Sequence, residues 1–278
     1  MLEERLRAAA ERVEALGYAP IYVSLHGSQN YGLAIHTDEY HSDYDFKCVV
    51  LPSLWDLVEG KRPASLTIET ENGQIDIKDI RIFCDALERM NPAYLESLAT
   101  ENHLILPGGE KMESICALVP LLMAQRGNVF ARACEGLFED KAKRMRHDSP
   151  AVHEKIVRFG YDGKQAHHML RLLLQLEAFE KSGVFRLEAP ESERALLTRL
   201  KLNEIPLEEA GGMIAGWRAR LKAVRERIEG KCGEPKKDAY MEIVGLSRTM
   251  IFDHCRKPDR QLSGKVCEHT GRREVYEI

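Results

Sequence analysis

Gly27-Ser28 closes a short apolar stretch, Ser42-Asp43-Tyr44-Asp45-Phe46 follows, and further along Asp76 lies between Ile75 and Ile77. In an extended strand, residues two apart share a face, so Asp43 and Asp45 project one way while Tyr44 and Phe46 project into the core. Two carboxylates are thereby delivered to one point. A third on a neighbouring strand, Asp76, completes an acidic cluster that is costly to assemble unless divalent cations neutralise it, and Mg2+ is the natural occupant. Asp79 lies three residues beyond Asp76 and faces the other side. The isoleucines flanking Asp76 favour it as the third ligand and leave Asp79 to end the strand or start the next helix.

Cationic and neutral donors accompany these acids. A glycine between strand and helix lets the backbone approach a phosphate closely, and the hydroxyl of Ser28 with its neighbouring N–H groups can donate to phosphate oxygens without adding charge. By strand parity Lys47 and Lys78 share the carboxylate-bearing face, as phosphate partners or as solvated strand lysines. Lys164, His168 and Arg171 stand at i, i+4 and i+7 in a run whose Leu170, Leu173 and Leu174 supply a core side. That spacing stacks them on one helical face, either as a clamp for a triphosphate or as a solvated face with a buried histidine. The denser run from Lys141 to His147 reads as a solvated helix end, a partner of the helix dipole or a contact for an RNA backbone.

The elements that position these residues are legible in outline. Leu2, Leu6, Ala9, Ala10, Val13 and Leu16 recur at helical spacing before Gly17, which predicts a helix over 2–16. Strands are predicted over 21–25 and 44–51, and Asn72-Gly73 between the apolar runs 66–70 and 75–80 marks a hairpin. Helices follow over 81–90 and 93–99, separated by Asn91-Pro92. Beyond about residue 110 the pattern becomes helical, with spans predicted at 131–147, 152–183, 191–202, 206–229 and 236–254. The fold class is therefore α+β: a mixed β-sheet with flanking helices over 1–110, an all-helical part over 111–255 that closes a cleft, and a tail over 256–278.

Composition limits the classes of function. With 44% hydrophobic and 30% charged residues the chain is ordinary for a globular protein with a substantial core. Its apolar runs fall short of the roughly 20 residues that span a bilayer, and the start Met1-Leu2-Glu3-Glu4-Arg5 is too acidic for a secretion signal. No membrane partner and a cytoplasmic location are expected. Seven cysteines without a CxxC pair argue against a disulfide framework. His254, Cys255, Cys267 and His269 are the only residues with metal-like spacing, and they match no standard zinc pattern. Residues 1–110 carry 9 Lys+Arg against 19 Asp+Glu, and the remainder 31 against 25. An acidic half joined to a mildly basic one permits a polyanionic substrate.

Gly27-Ser28, Asp43-x-Asp45 and the apolar-flanked Asp76 together resemble the polymerase-beta-like nucleotidyltransferase superfamily. His26-Gly27-Ser28-Gln29-Asn30-Tyr31-Gly32-Leu33 with Ser42-Asp43-Tyr44-Asp45 is similar, more narrowly, to bacterial and phage predicted nucleotidyltransferases, as is Asn91-Pro92 with Leu95-Glu96. The resemblance implies that Asp43, Asp45 and Asp76 bind two Mg2+ ions, with Mn2+ as a substitute. It also implies that Gly27, Ser28, Asn30, Tyr31 and Ser42, together with Lys47, Lys78, Lys164, His168 and Arg171, contact a nucleoside triphosphate. The implied reaction moves a nucleoside monophosphate to a hydroxyl of an RNA end, a protein or a small molecule. The alternatives are a non-catalytic nucleotide- or RNA-binding module that keeps the fold, and a metal-dependent phosphohydrolase. The stretch between Gly32 and Ser42 is longer than is usual for that family.

Overall fold

A computed structural model of the chain describes residues 2–37 and 40–256. In chain order the elements are α1 (Leu2–Ala15), β1 (Ala19–His26), β2 (Asp45–Leu51), α2 (Leu54–Val58), β3 (Ser65–Thr70), β4 (Gly73–Asp79), α3 (Ile80–Glu88), α4 (Pro92–Ala99) and β5 (His103–Ile105). Helices then continue as α5 (Met112–Ala117), α6 (Val119–Arg144), α7 (His153–Phe159), α8 (Gly163–Ser182), α9 (Glu191–Lys201), α10 (Leu207–Lys231) and α11 (Asp238–Arg256). This is the expected α+β arrangement of a mixed sheet followed by helices. The predicted tail, with Cys267 and His269, lies outside the described residues apart from Arg256.

The five strands run in the order β3-β4-β2-β1-β5. Strand β1 is antiparallel to both β2 and β5, β3 and β4 form the hairpin that Asn72-Gly73 announces, and β2 pairs with β4 in parallel. Alternation along the strands divides the apolar residues between two faces. Val23, Leu25, Phe46, Cys48, Val50, Ile75 and Ile77 bury against Leu6, Ala9, Ala10 and Val13 of α1. Ile21, Tyr22, Val49 and Leu51 face the other way and join one continuous core with α3, α4 and the helices from α5 to α11. Lys47, Asp76 and Lys78, one residue out of phase with the α1-facing set, therefore share the helix-covered face.

The helices depart from expectation in two places, the first of them at the site. The span 152–183 is broken: α7 stops at Phe159 and Asp162 caps α8 by accepting from the backbone N–H of Lys164 at 3.1 Å. Lys164 thus stands on the first turn of a helix. At Gly163 a Cβ would fall 2.0 Å from the carbonyl oxygen of Leu200, so only glycine lets the end of α9 approach the start of α8 this closely. Further upstream, α6 begins at Val119 and carries a kink at Arg126, with φ −131° and ψ 23°. Among the described residues no helix is long and apolar enough to cross a membrane, and the six described cysteines are all unpaired.

Candidate functional site

Antiparallel pairing sets His26, the last residue of β1, opposite Asp45, the first of β2. Gly27 then turns with φ +77°, and a Cβ there would sit 2.8 Å from Oδ2 of Asp45. Glycine is required because the backbone and the carboxylate occupy the same corner. The turn continues through Asn30 N–H to Gly27 O at 3.0 Å and Leu33 N–H to Ser28 O at 3.0 Å. The following loop is tied back by Ser42, whose Oγ accepts from the N–H of Ile35 at 2.9 Å, and by a bridge between His36 and His41.

Asp43, Asp45, Gly27 and Ser28 line a cleft of about 180 Å³, whose opposite wall is Lys164, His168 and Arg171 of α8. The structure brings these seven predicted residues together, along with Tyr31. Five more lining residues were not among the predicted site residues: His26, Tyr40, Gln74, His167 and Lys201. Lys201 ends α9, donates to Ser42 Oγ at 3.1 Å and lies 5.4 Å above the ring of Tyr40. Burial, reinforced by Lys164 and opposed by Asp43 and Asp45, lowers its pKa to about 8. Burial raises Asp45 above the ordinary carboxylate value; Asp43 adds to that rise while Lys164 opposes it. Among the described residues, none of Asp43, Asp45, Lys164 and Lys201 makes an ion pair within 4 Å. The acids and ammoniums face each other across open space.

Arg171 shares the face its helical spacing predicts, but its charge is already engaged. Its guanidinium is buried and ion-paired with Oε1 of Glu96 on α4, which also accepts from Nε2 of Gln175 at 2.8 Å. Oε2 of the same carboxylate accepts from the hydroxyl of Tyr31 at 2.6 Å, and the guanidinium lies 4.0 Å above the Tyr31 ring. Glu96 is fully buried, and burial works against its charge, but Arg171, His26 and the hydroxyl of Tyr31 together outweigh that and hold its pKa below the ordinary value. The charge of Arg171 is therefore spent inside the wall. The histidines add none: burial lowers His26 to about 3 and His167 to about 4, and pushes His168 well below its ordinary value. His167 Nδ1 lies 2.9 Å from the carbonyl oxygen of Leu197, so that nitrogen carries the proton and Nε2 is left as an acceptor.

Asp76 is not brought to the cleft lining. Parallel pairing places Lys47 of β2 directly opposite it, and Lys78 lies two residues along on the same face. Each of its oxygens is taken: Lys47 Nζ is 2.7 Å from Oδ2 and Lys78 Nζ is 2.8 Å from Oδ1. Burial raises its pKa, but Lys47 and then Lys78 outweigh that and leave it below the ordinary value. Both lysines, expected on this face as phosphate partners, are ion-paired with this acid. Asp79, by contrast, caps α3, accepting from Arg81 N–H at 2.8 Å and pairing with its guanidinium. Asn30 is buried on the far side of the turn, its Oδ1 accepting from Thr100 at 2.6 Å and its Nδ2 without a partner. Ser42 is buried as a loop tie.

Among the described residues no group of three or more His, Cys, Asp or Glu is arranged to hold a metal ion. Asp43 and Asp45 alone suit a divalent cation that keeps part of its coordination for water and phosphate oxygens, as Mg2+ does when one or two carboxylates hold it beside a nucleotide. Asp76, carrying two ammoniums, does not fit as a third ligand.

No family model matches the chain, and no curated protein matches it. Among solved structures the chain is similar to a nucleotidyltransferase-like protein from Exiguobacterium sibiricum 255-15, with 13% identity, a TM-score of 0.29, and coverage of 94% of this chain and 81% of that one.

Proposed function

We propose that the cleft binds the phosphates of a nucleoside triphosphate and transfers the nucleoside monophosphate to a hydroxyl acceptor. The observation that carries this reading is the pair Asp43 and Asp45 facing, across the Gly27-Ser28 turn, the ammoniums of Lys164 and Lys201, which make no ion pair among the described residues. Like-signed carboxylates at one corner call for a cation, and ammoniums on the opposite wall call for an anion. A metal-bound polyphosphate satisfies both. Ser28 and the N–H groups of its turn orient phosphate oxygens, Lys164 and Lys201 neutralise them, and Tyr31 and Arg171, fixed by Glu96, hold the wall in place. A cavity of about 180 Å³ is small beside the roughly 300–1,000 Å³ of whole-ligand pockets, so it takes the phosphates and leaves the nucleoside toward the mouth.

Mg2+, or Mn2+ in its place, would be held by Asp43 and Asp45 and supply charge neutralisation at the phosphate that reacts. The acceptor oxygen bonds to the α-phosphorus, the bond to pyrophosphate breaks, and the acceptor's proton passes to water. RNA ends, proteins and small molecules all present such a hydroxyl. Purified protein incubated with Mg2+ and α-labelled nucleotides is expected to label an acceptor and release pyrophosphate. The Asp43→Asn/Asp45→Asn variant is expected to label nothing, and equal labelling by it would overturn the proposal.

A second reading, a nucleotide-binding module without turnover, is favoured by one feature: Asp76 is captured by Lys47 and Lys78. Nucleotide binding without pyrophosphate release in the presence of RNA, protein and small-molecule acceptors would select it.

A further inference from the structure

The geometry points to a one-cation centre: Asp43 and Asp45 hold a single divalent ion, and Asp76 is the anchor of Lys47 and Lys78 rather than a ligand. This deepens the proposed reading of the cleft as a metal-nucleotide site and rests on it. Three observations carry it. Both oxygens of Asp76 are engaged by ammoniums, at 2.7 and 2.8 Å. Lys47 is 8% exposed, lies 4.6 Å above the ring of Tyr94, and faces Asp76 through the β2–β4 register, so its position is set by strand pairing and packing. To ligate an ion, Asp76 would have to abandon Lys47 as a buried ammonium with no counter-charge, which is among the most costly arrangements in a protein interior. The same pairing keeps a second divalent ion away, because two fixed positive charges already stand on that carboxylate.

The positive charge that a second ion would bring to the phosphates comes instead from protein. Lys164 stands on the first turn of α8, where its backbone N–H is capped by Asp162, and Lys201 reaches the cleft from the end of α9. Gly163 is what lets the two helix ends meet. The ammoniums therefore face Asp43 and Asp45 from the opposite wall, while Lys47 and Lys78 serve only Asp76.

The test counts metal directly. Wild-type protein is saturated with α,β-methylene ATP, dialysed to equilibrium against Mn2+, and assayed for manganese per bound nucleotide, with the spin-resonance spectrum recorded on the same sample. One Mn2+ per bound nucleotide and an isolated six-line spectrum are expected. The Asp76→Asn/Lys47→Met variant removes the anchored pair together, which avoids stranding the buried ammonium, and is expected to keep the same ratio with nucleotide affinity within about threefold. Two Mn2+ per nucleotide, or a spin-coupled spectrum, would overturn the one-cation centre and leave the nucleotide reading standing. No nucleotide-dependent Mn2+ in the wild type would overturn both. Should the double variant fail to fold, the wild-type ratio and spectrum still decide between one ion and two.

Discussion

Two groups of acids and lysines lie at the same sheet and differ in what completes them. In the first, Asp76 meets Lys47 and Lys78, and every charge has its counterpart within hydrogen-bond distance. In the second, Asp43 and Asp45 face Lys164 and Lys201 with no ion pair between them. The first group is closed because all three residues come from neighbouring strands whose register fixes them side by side. The second is open because its acids lie at and just before the start of β2 and its cations at the ends of two helices beyond the sheet. A closed group contributes structure and an open one is left to bind something. The Glu96–Arg171 pair is a closed group within the wall of the open one.

The comparison breaks most visibly at Glu96. Glu96→Ala leaves Arg171 charged, buried and without a partner, and is expected to cost about 3–5 kcal/mol, read as a fall in the chemical-denaturation midpoint. A loss below about 1 kcal/mol would mean that the pair does not hold the wall. Asp76→Asn is expected to cost less, about 1–3 kcal/mol, because its side chain is 22% exposed, and Lys47→Met in the same chain should recover part of the loss. Failure of the second substitution to recover any of it would show that Lys47 does not depend on Asp76. Asp43→Asn should cost almost nothing or raise the thermal midpoint slightly, since it relieves Asp45 of a like charge. A loss as large as that of Asp76→Asn would place Asp43 among the closed groups.

The smallest expected effect concerns pH. Lys201, lowered to about 8 by burial and by Lys164, is charged below that value and loses its proton as pH rises through it. Affinity for a triphosphate should therefore be highest below pH 8 and fall roughly fivefold by pH 9, a loss of about 1 kcal/mol that Lys201→Arg abolishes. Titration calorimetry at several pH values reads this, and the same fall in the arginine variant would remove Lys201 from the phosphate site.

Local pattern made much of this legible in the sequence. The hairpin at Asn72-Gly73, the helix α1, the break between α3 and α4 at Asn91-Pro92 and the split of Asp43 and Asp45 from Tyr44 and Phe46 all follow from turn chemistry and side-chain periodicity. The acids of the open site and Lys164 were visible for that reason. Periodicity assigns a face to a residue but not a partner across the gap. Parity placed Asp76, Lys47 and Lys78 on one face correctly, yet only the parallel register shows that they satisfy one another. Likewise the i, i+7 spacing found Arg171 without revealing Glu96, 75 residues away, as its counter-ion. Lys201 was missed because the break between α7 and α8 and the close approach at Gly163 are tertiary facts, although Gly160 and Asp162 were available signals for the helix break. The three-residue β5 is too short for periodicity to register.

The central claim, that the open group and not the closed one receives the ligand, is tested most directly by titrating Mg2+-α,β-methylene ATP into three proteins in a calorimeter. Wild type and Asp76→Asn/Lys47→Met should bind alike, whereas Asp43→Asn/Asp45→Asn should bind about a hundredfold more weakly, the loss of two charge-assisted contacts. Undiminished binding by the Asp43/Asp45 variant, with loss in the Asp76/Lys47 variant, would contradict the account.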